Sequence, residues 1–363
     1  MSYQDSESKA VDALKKAIPD SLKKDMLPLS KGLSAEIYQN DEVFPNHYLA
    51  CAIDSAGTKV MLAELMDKYD TIGIDCVAMS ANDLATFGSM SPFLFMDCLS
   101  TQKKIQERSL TAEIMKGIVK GLEECDASSI FRNSISLNLG KGETASVHEL
   151  LDSPRAAHAF DLVGCMIGFI PKNKLYAELH DGDTIIALPS SGAHCNGFTD
   201  LRHHILDDTF ESREEFRKLY KGKHTIDDTY NGKKIGNLLL EPTKLYVRDM
   251  ALISKDHDVV GVNNTGYGLK NLNRLPGEFQ MIIDNAPEPL DIFKLMQQES
   301  QFSDEQMYST FNMGMGFFVI AKKQDSENIL QKIKGSMKVG TVKKGKKSTI
   351  FIKEGKKIVF EGY

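Results

Sequence analysis

Along the chain, apolar positions fall into short continuous runs that alternate with stripes at helical spacing. Residues 8–26 read as a Lys-rich amphipathic helix that ends near Pro28. Residues 48–53 form a short apolar run, the pattern of a buried strand, and lead into a turn at 54–59 and a helix over 60–69. A second helix is predicted over about 71–87, with Ile74, Val77, Ala78, Ala81, Leu84 and Ala85 making one apolar stripe and 88–92 stopping it. A strand at 93–96, a helix at 109–125, an irregular stretch around 140–144 and a β-prone run at 160–170 follow. The polar turn 171–174 divides the chain into domains 1–174 and 175–363. The second half restarts with a strand at 184–188, a loop at 189–197 and a helix. Residues 207–236 read as a charged surface excursion, and 348–363 as a terminal hairpin around Glu354 and Gly355 with a lysine-rich solvated edge. Strands alternate with helices in both halves, which predicts a mixed α/β (α+β) fold.

Composition narrows the functional classes. The 363 residues are 42% hydrophobic and 26% charged, enough apolar material for buried cores and more than one core of ordinary size holds. A net charge of −6 excludes a globally basic nucleic-acid binder, and no apolar run approaches the roughly 20 residues that span a bilayer. The polar, acidic start predicts a cytoplasmic protein without a signal peptide. Six cysteines without a CxxC pair read as small hydrophobes in a reducing compartment, not as a zinc or redox site.

Four segments carry candidate chemistry. Asp54-Ser55-Ala56-Gly57-Thr58-Lys59 joins a buried strand to a helix, where backbone N–H groups, a hydroxyl and a cation suit a phosphate and Asp54 suits magnesium. It lacks the Walker spacing, and a plain strand-to-helix turn accounts for it equally. In the second helix, Asp75 and Asn82 are seven residues apart and nearly eclipse one another, with Asp83 beside them on a helix almost free of other charges. Gly140-Lys141-Gly142-Glu143-Thr144 adds a flexible turn and a carboxylate; by themselves these are also ordinary turn residues. Pro189-Ser190-Ser191-Gly192-Ala193-His194-Cys195-Asn196-Gly197 packs two hydroxyls, an imidazole and an amide into one loop that suits a phosphate or a polarised amide. No G-x-S-x-G elbow accompanies it, which excludes a hydrolase of that type.

Taken in order, these segments resemble the phosphoribosylformylglycinamidine cyclo-ligase (AIR synthetase) family. Asp54 to Lys59 is similar to the family's D-G-V-G-T-K loop, altered at its glycines. The run from Asp70 to Leu84 resembles H-D-T-I-G-I-D-L-V-A-M-x-x-N-D-L, and Gly142-Glu143-Thr144-Ala145 resembles the end of G-G-E-T-A-E. Phe160 to Gly164 is similar to Y-D-L-A-G, and Leu188 to Gly197 to L-x-S-S-G-x-H-S-N-G. Leu240 to Val247 is similar to L-L-x-P-T-R-I-Y-V, and Met307 to Gly316 to M-Y-R-T-F-N-x-G-x-G.

The resemblance implies a two-domain protomer whose N-terminal domain builds a shared β-barrel in a homodimer and whose C-terminal domain is an α/β sandwich. It implies ATP and Mg2+ as cofactors and formylglycinamidine ribonucleotide as substrate, closed to aminoimidazole ribonucleotide in purine biosynthesis, with no nucleic-acid or membrane partner. On the matching positions it assigns Lys59 and His194 to catalysis and Asp54, Asp83 and Glu143 to the metal. It assigns Gly57, Thr58, Asp75, Asn82, Thr144, Ser190, Ser191, Gly192, Asn196, Gly197, Asn263, Thr265, Gly266 and Asn312 to ATP and substrate. Departures fall at Asn263, where the family has histidine, and at Lys141, where it has glycine. Alternatives are another ATP-using member of the wider superfamily, of the small-molecule kinase type, or a catalytically silent binding paralogue.

Overall fold

The computed structural model describes residues 25–30, 35–131, 135–175 and 178–362, so the helix expected at 8–26 lies almost wholly outside the described residues. Among these, six strands form the first sheet: β1 (Glu36–Tyr38), β2 (His47–Ser55), β3 (Ser91–Thr101), β4 (Asn138–Leu139), β5 (Glu143–Ser146) and β6 (Phe160–Pro171). Their order is β1-β2-β6-β3-β4, with β5 also on β3. The long pairs β2–β6 and β6–β3 are antiparallel, whereas β4 and β5 run parallel to β3. The stretch around 140–144, expected to be irregular, is the connection between these two short added strands.

Side chains alternate along β6, with Phe160, Leu162, Met166 and Ile170 buried and Val163, Cys165, Ile167 and Phe169 only partly covered. The buried face packs on the helix Asp70–Ala85, which in turn packs on the helix Leu110–Cys125. The two helices approach through glycines. A Cβ on Gly73 would lie 2.2 Å from the Ile114 carbonyl oxygen, and one on Gly117 would lie 2.0 Å from that of Asp70. The expected single apolar stripe of the Asp70–Ala85 helix is corrected here. Every residue from Thr71 to Asn82 is buried, because sheet, neighbouring helix and second domain enclose it. The opposite face of the sheet has no cover among the described residues, leaving Ile53 70% exposed and Phe93 at the surface.

A small two-stranded hairpin, β8 (Thr229–Tyr230) with β9 (Lys233–Lys234), lies between the strands of a second sheet. That sheet contains β7 (Thr184–Pro189), β10 (Val259–Asn263), β11 (Phe279–Ile283), β12 (Met315–Ala321), β13 (Met337–Lys344), β14 (Ser348–Lys353) and β15 (Lys356–Phe360). Its order is β10-β12-β7-β13-β11-β14-β15, antiparallel except for β11–β14. The predicted terminal hairpin is β14–β15, closed by Glu354 and Gly355 at φ 50° and 77°, the mirror-image turn that matches strand twist. Residues 207–236 are more than a surface excursion, since they bury Phe210, Glu211, Tyr220 and Ile235. No helix among the described residues is long and apolar enough to cross a membrane.

Backbone contacts join the two units. The Gly261 amide on the open edge of β10 donates to the Thr86 carbonyl at 2.9 Å, just past the central helix. Substituting Gly117→Ala forces the two central helices apart and is expected to cost about 1–3 kcal/mol. Urea unfolding checks it; an unchanged midpoint would show that the helices slide without penalty.

Candidate functional site

The site begins at the end of β2. The chain leaves the strand at Ser55, tightens into the short 3-10 turn Gly57–Lys59 and continues as the helix Val60–Leu65. Gly57 adopts φ +57°, a left-handed conformation that a glycine takes without strain. This turn directs Lys59 inward, where it is wholly buried. Its Nζ donates to Asp75 Oδ1 at 3.0 Å and to the Glu241 carbonyl at 2.5 Å, and lies 2.9 Å from Asp75 Oδ2. Asp75 also accepts from the Thr243 amide at 2.7 Å and the Thr243 hydroxyl at 2.6 Å. Two turns along the same helix, Asn82 donates to the Lys244 carbonyl and accepts from the Tyr246 amide, both at 2.9 Å. Asp75 and Asn82 thus clamp the segment 241–246 of the second domain. Lys59, assigned to catalysis from its motif, and Asp75 and Asn82, assigned to ligand, are committed to internal bonds because these buried polar groups need partners.

The loop 190–197 is folded against that segment. Ser191 Oγ donates to the Pro242 carbonyl at 2.6 Å. Ser190 Oγ donates to Asn312 Oδ1 at 2.9 Å, and Asn312 Nδ2 donates to the Gly192 carbonyl at 2.9 Å. Asn312 therefore staples the loop to the start of β12. His194 sits at φ 60°, is 2% exposed, and has a buried Nε2 without a hydrogen-bond partner. Burial first, then the positive charges of Lys59 and Lys244, pull its imidazole down to about 3. It is neutral across the physiological range, so its basic nitrogen can accept a hydrogen bond but carries no charge. Gly197 at φ +70° opens the next helix, and a Cβ there would strike the Phe311 ring at 2.3 Å. Half-buried Asn196 turns its amide oxygen toward Gly266, whose own added Cβ would lie 3.5 Å from it. Half-buried Thr265 donates to Asn271 at 3.2 Å. Thr58 and Thr144 are exposed.

The acids divide by sheet face. Register places Asp54 opposite Gly164, and Gly164 opposite Asp97, so Asp54 and Asp97 share the helix-facing side two strand spacings apart, about 10 Å. Asp83 joins them from the central helix and accepts from Asn263 Nδ2 at 2.9 Å. Burial raises the Asp83 carboxyl to about 7; the Asn263 bond opposes this and the Asp54 charge adds to it. Burial also raises Asp97, whose Oδ1 is buried without a partner, and a Cβ on Gly142 would sit 2.5 Å from that atom. Glu143 does not join this set. It is paired with Cys98, one residue on from Asp97, and therefore points from the opposite face, exposed. Of the expected trio Asp54, Asp83 and Glu143, the structure brings the first two to one side of the sheet and leaves Glu143 on the other. Among the described residues, no group of three or more His, Cys, Asp or Glu side chains closes into a metal-binding cluster. Asp97 was missed by motif reasoning, although a lone acid inside the apolar strand 93–99 is a visible signal.

Replacing Lys59→Met leaves Asp75 buried and uncompensated, with an expected loss of about 3–5 kcal/mol in thermal or urea unfolding. A loss below about 1 kcal/mol would show an exposed, screened pair instead. Shifts of opposite sign contribute to the pH dependence of stability. Depression of His194 from 6.5 to about 3 contributes stability above pH 6.5 that fades as pH falls toward 3. Glu64, raised by burial from 4.5 to about 8, makes the fold lose stability as pH rises through that window. Glu64→Gln is expected to flatten the alkaline decline in melting temperature between pH 5 and 8 (about its own titration range); an unchanged slope would assign the decline elsewhere.

The N-terminal domain of the AIR synthase related protein family matches residues 38–169, and its C-terminal domain matches residues 180–353. The phosphoribosylformylglycinamidine cyclo-ligase of Methanobrevibacter smithii is 34% identical over 86% of this chain and 85% of its own. That of Methanosarcina barkeri is 36% identical over 82% and 81%, and that of Brevibacillus brevis 31% over 96% and 95%. Among solved structures, the hydrogenase maturation protein HypE in complex with ATP superposes with a TM-score of 0.55 at 14% identity, covering 87% of this chain and 85% of that one. The thiamine monophosphate kinase AaThiL complexed with AMPPCP and TMP gives 0.55 at 12% identity, covering 100% and 99%; both likenesses concern the fold. With both domains matched and relatives above 30% identity along most of its length, the chain belongs to the AIR synthase related protein family.

Proposed function

We propose that this protein is an ATP-dependent phosphoribosylformylglycinamidine cyclo-ligase, which closes formylglycinamidine ribonucleotide to aminoimidazole ribonucleotide and releases ADP and phosphate. The observation that carries the reading is agreement of relatives bearing that name with this chain across both domains. The chemistry suits the site. A formyl amide oxygen is a poor leaving group. Phosphoryl transfer to it makes a phosphate that departs when the substrate's own nitrogen closes the ring, so the protein chiefly positions and balances charge.

No three of these acids close on one point among the described residues, but magnesium usually takes only one or two carboxylates. Asp83, raised by burial that a cation would offset and acted on by the Asp54 charge, suits that role, with Asp97 and its orphan oxygen on the same side of the sheet. Bound there, Mg2+ would neutralise phosphate charge, with waters and phosphates completing its shell. Asn263 orients Asp83 through its amide. Neutral His194 offers an acceptor. Lys59 acts as a positioning residue, holding the 241–246 segment beneath the loop 190–197. Gly57, Thr58, Ser190, Ser191, Gly192, Asn196, Gly197, Thr265, Gly266 and Asn312 frame the cleft for nucleotide and substrate; Glu143 opens toward the uncovered sheet face, and Thr144, paired with Leu99, takes the opposite one. With a division at about residue 174, the acids Asp54, Asp83 and Asp97 and the turn 54–59 belong to the first unit and the loop 190–197 to the second.

We further propose a homodimer formed through that uncovered face, whose Ile53, Phe93, Val163, Ile167 and Phe169 make an apolar surface that a second copy would bury. Ile53→Arg is expected to give monomers on gel filtration with light scattering; an unchanged mass would remove this face from the interface.

ADP release that requires formylglycinamidine ribonucleotide and yields an aminoimidazole tests the activity; turnover with other small alcohols or acids instead would indicate a kinase-type relative. Asp83→Asn and Asp97→Asn are each expected to lower turnover by roughly 10²–10³. Because the folded carboxyl of Asp83 is raised, Asp83→Asn should melt no lower than wild type at pH 8 without metal, which separates lost chemistry from lost folding.

A further inference from the structure

A second cavity lies away from these acids. It has a volume of about 390 Å³ and sits where the first domain hands over to the second, lined by Phe87 and Ser89, by Asn173, Lys174, Glu178 and His180, and by Ser254, His257, Asp258, Val259 and Lys322. It opens at the start of β10, whereas Asn263, which holds Asp83, stands at the other end of that strand, about 13 Å away at the usual strand rise.

The lining sorts into committed and uncommitted groups. Lys174 donates to Asp258 at 2.8 Å, so those two charges offset one another. His257 is held by Asn328 at 2.8 Å and Asp325 at 3.5 Å. Glu178 and Lys322 have no ion-pair partner among the described residues, and both are exposed at the rim. Ser254, 3% exposed, presents a buried hydroxyl with no hydrogen-bond partner, an arrangement that native interiors rarely leave unfilled. Two helices, Asp70–Ala85 and Val247–Ser254, end against the cavity, and their carbonyl ends carry partial negative charge that favours a cationic group. Phe87 and Val259 supply an apolar wall.

One free cation, one free anion, two helix ends of negative polarity and an orphan hydroxyl describe a ligand that carries both charges. We propose that this hinge cavity binds a small amphoteric molecule of the α-amino acid class, its ammonium toward Glu178 and the helix ends, its carboxylate toward Lys322. The volume falls within the range of small-molecule sites and admits such a ligand with ordered water. The lining is drawn from both domains, and β10 runs from this cavity to Asn263, which holds Asp83.

Isothermal titration of the full chain with glycine, L-glutamate and L-lysine, each alone at millimolar concentration, tests the proposal. Saturable binding of at least one is expected, weakened by about tenfold or more in both Glu178→Ala and Lys322→Ala, whose surface positions leave the fold intact by circular dichroism. Methylammonium and acetate serve as single-charge controls. No saturable binding by any of the three amino acids, equal binding of either single-charge control, or unchanged affinity in both variants would overturn it. None of these readouts depends on the cyclo-ligase reaction.

Discussion

The structure depends on one buried ion pair. Lys59 and Asp75 have no exposure to solvent, and taking both charges out of water costs far more than a surface pair returns. That cost is offset because the carboxylate accepts from both the amide and hydroxyl of Thr243 as well as from the ammonium, which itself also donates to the Glu241 carbonyl. The partners come from three places: the turn after β2, the central helix, and a segment of the second domain. The pair therefore decides where the two domains meet. Asn82, two turns further along, fixes the far end of the same segment and removes its freedom to pivot.

From that frame the remaining polar groups separate into those that hold structure and those left for chemistry. Ser190, Ser191 and Asn312 close a lattice of internal bonds around the loop 190–197. His194, pressed into the lattice, loses its charge to burial. Across the cleft, Asp83 and Asp97 are raised by desolvation, which at Asp83 the Asn263 hydrogen bond and the Arg274 charge offset only in part. Buried acids that the fold does not neutralise store unfavourable energy, and such sites are where ligands gain most by supplying the missing charge.

Much of this was legible along the chain. The helix Asp70–Ala85, strands β2, β6 and β7, and the β14–β15 hairpin follow from local periodicity and turn chemistry, which neighbouring residues decide among themselves. The eclipsed spacing put Asp75 and Asn82 on one side of the helix, where both bond the segment 241–246 of the second domain. Asp97 and Glu143 show the other limit. Which face of a sheet a side chain takes depends on register with β6 and β3, and a shift of one residue reverses it.

The order of elements, the mixed α/β class, the acidic and glycine-rich turns and the family resemblance were determined by sequence alone, because each is written in residues close together along the chain. Burial of the central helix on every side, the clasp that Lys59 makes between the two domains, the neutral state of His194 and the placing of Asp97 rather than Glu143 on the side of Asp54 were decided only in three dimensions. Those properties are set by desolvation and by hydrogen-bond partners more than a hundred residues distant, and neither quantity exists until the two sheets have packed.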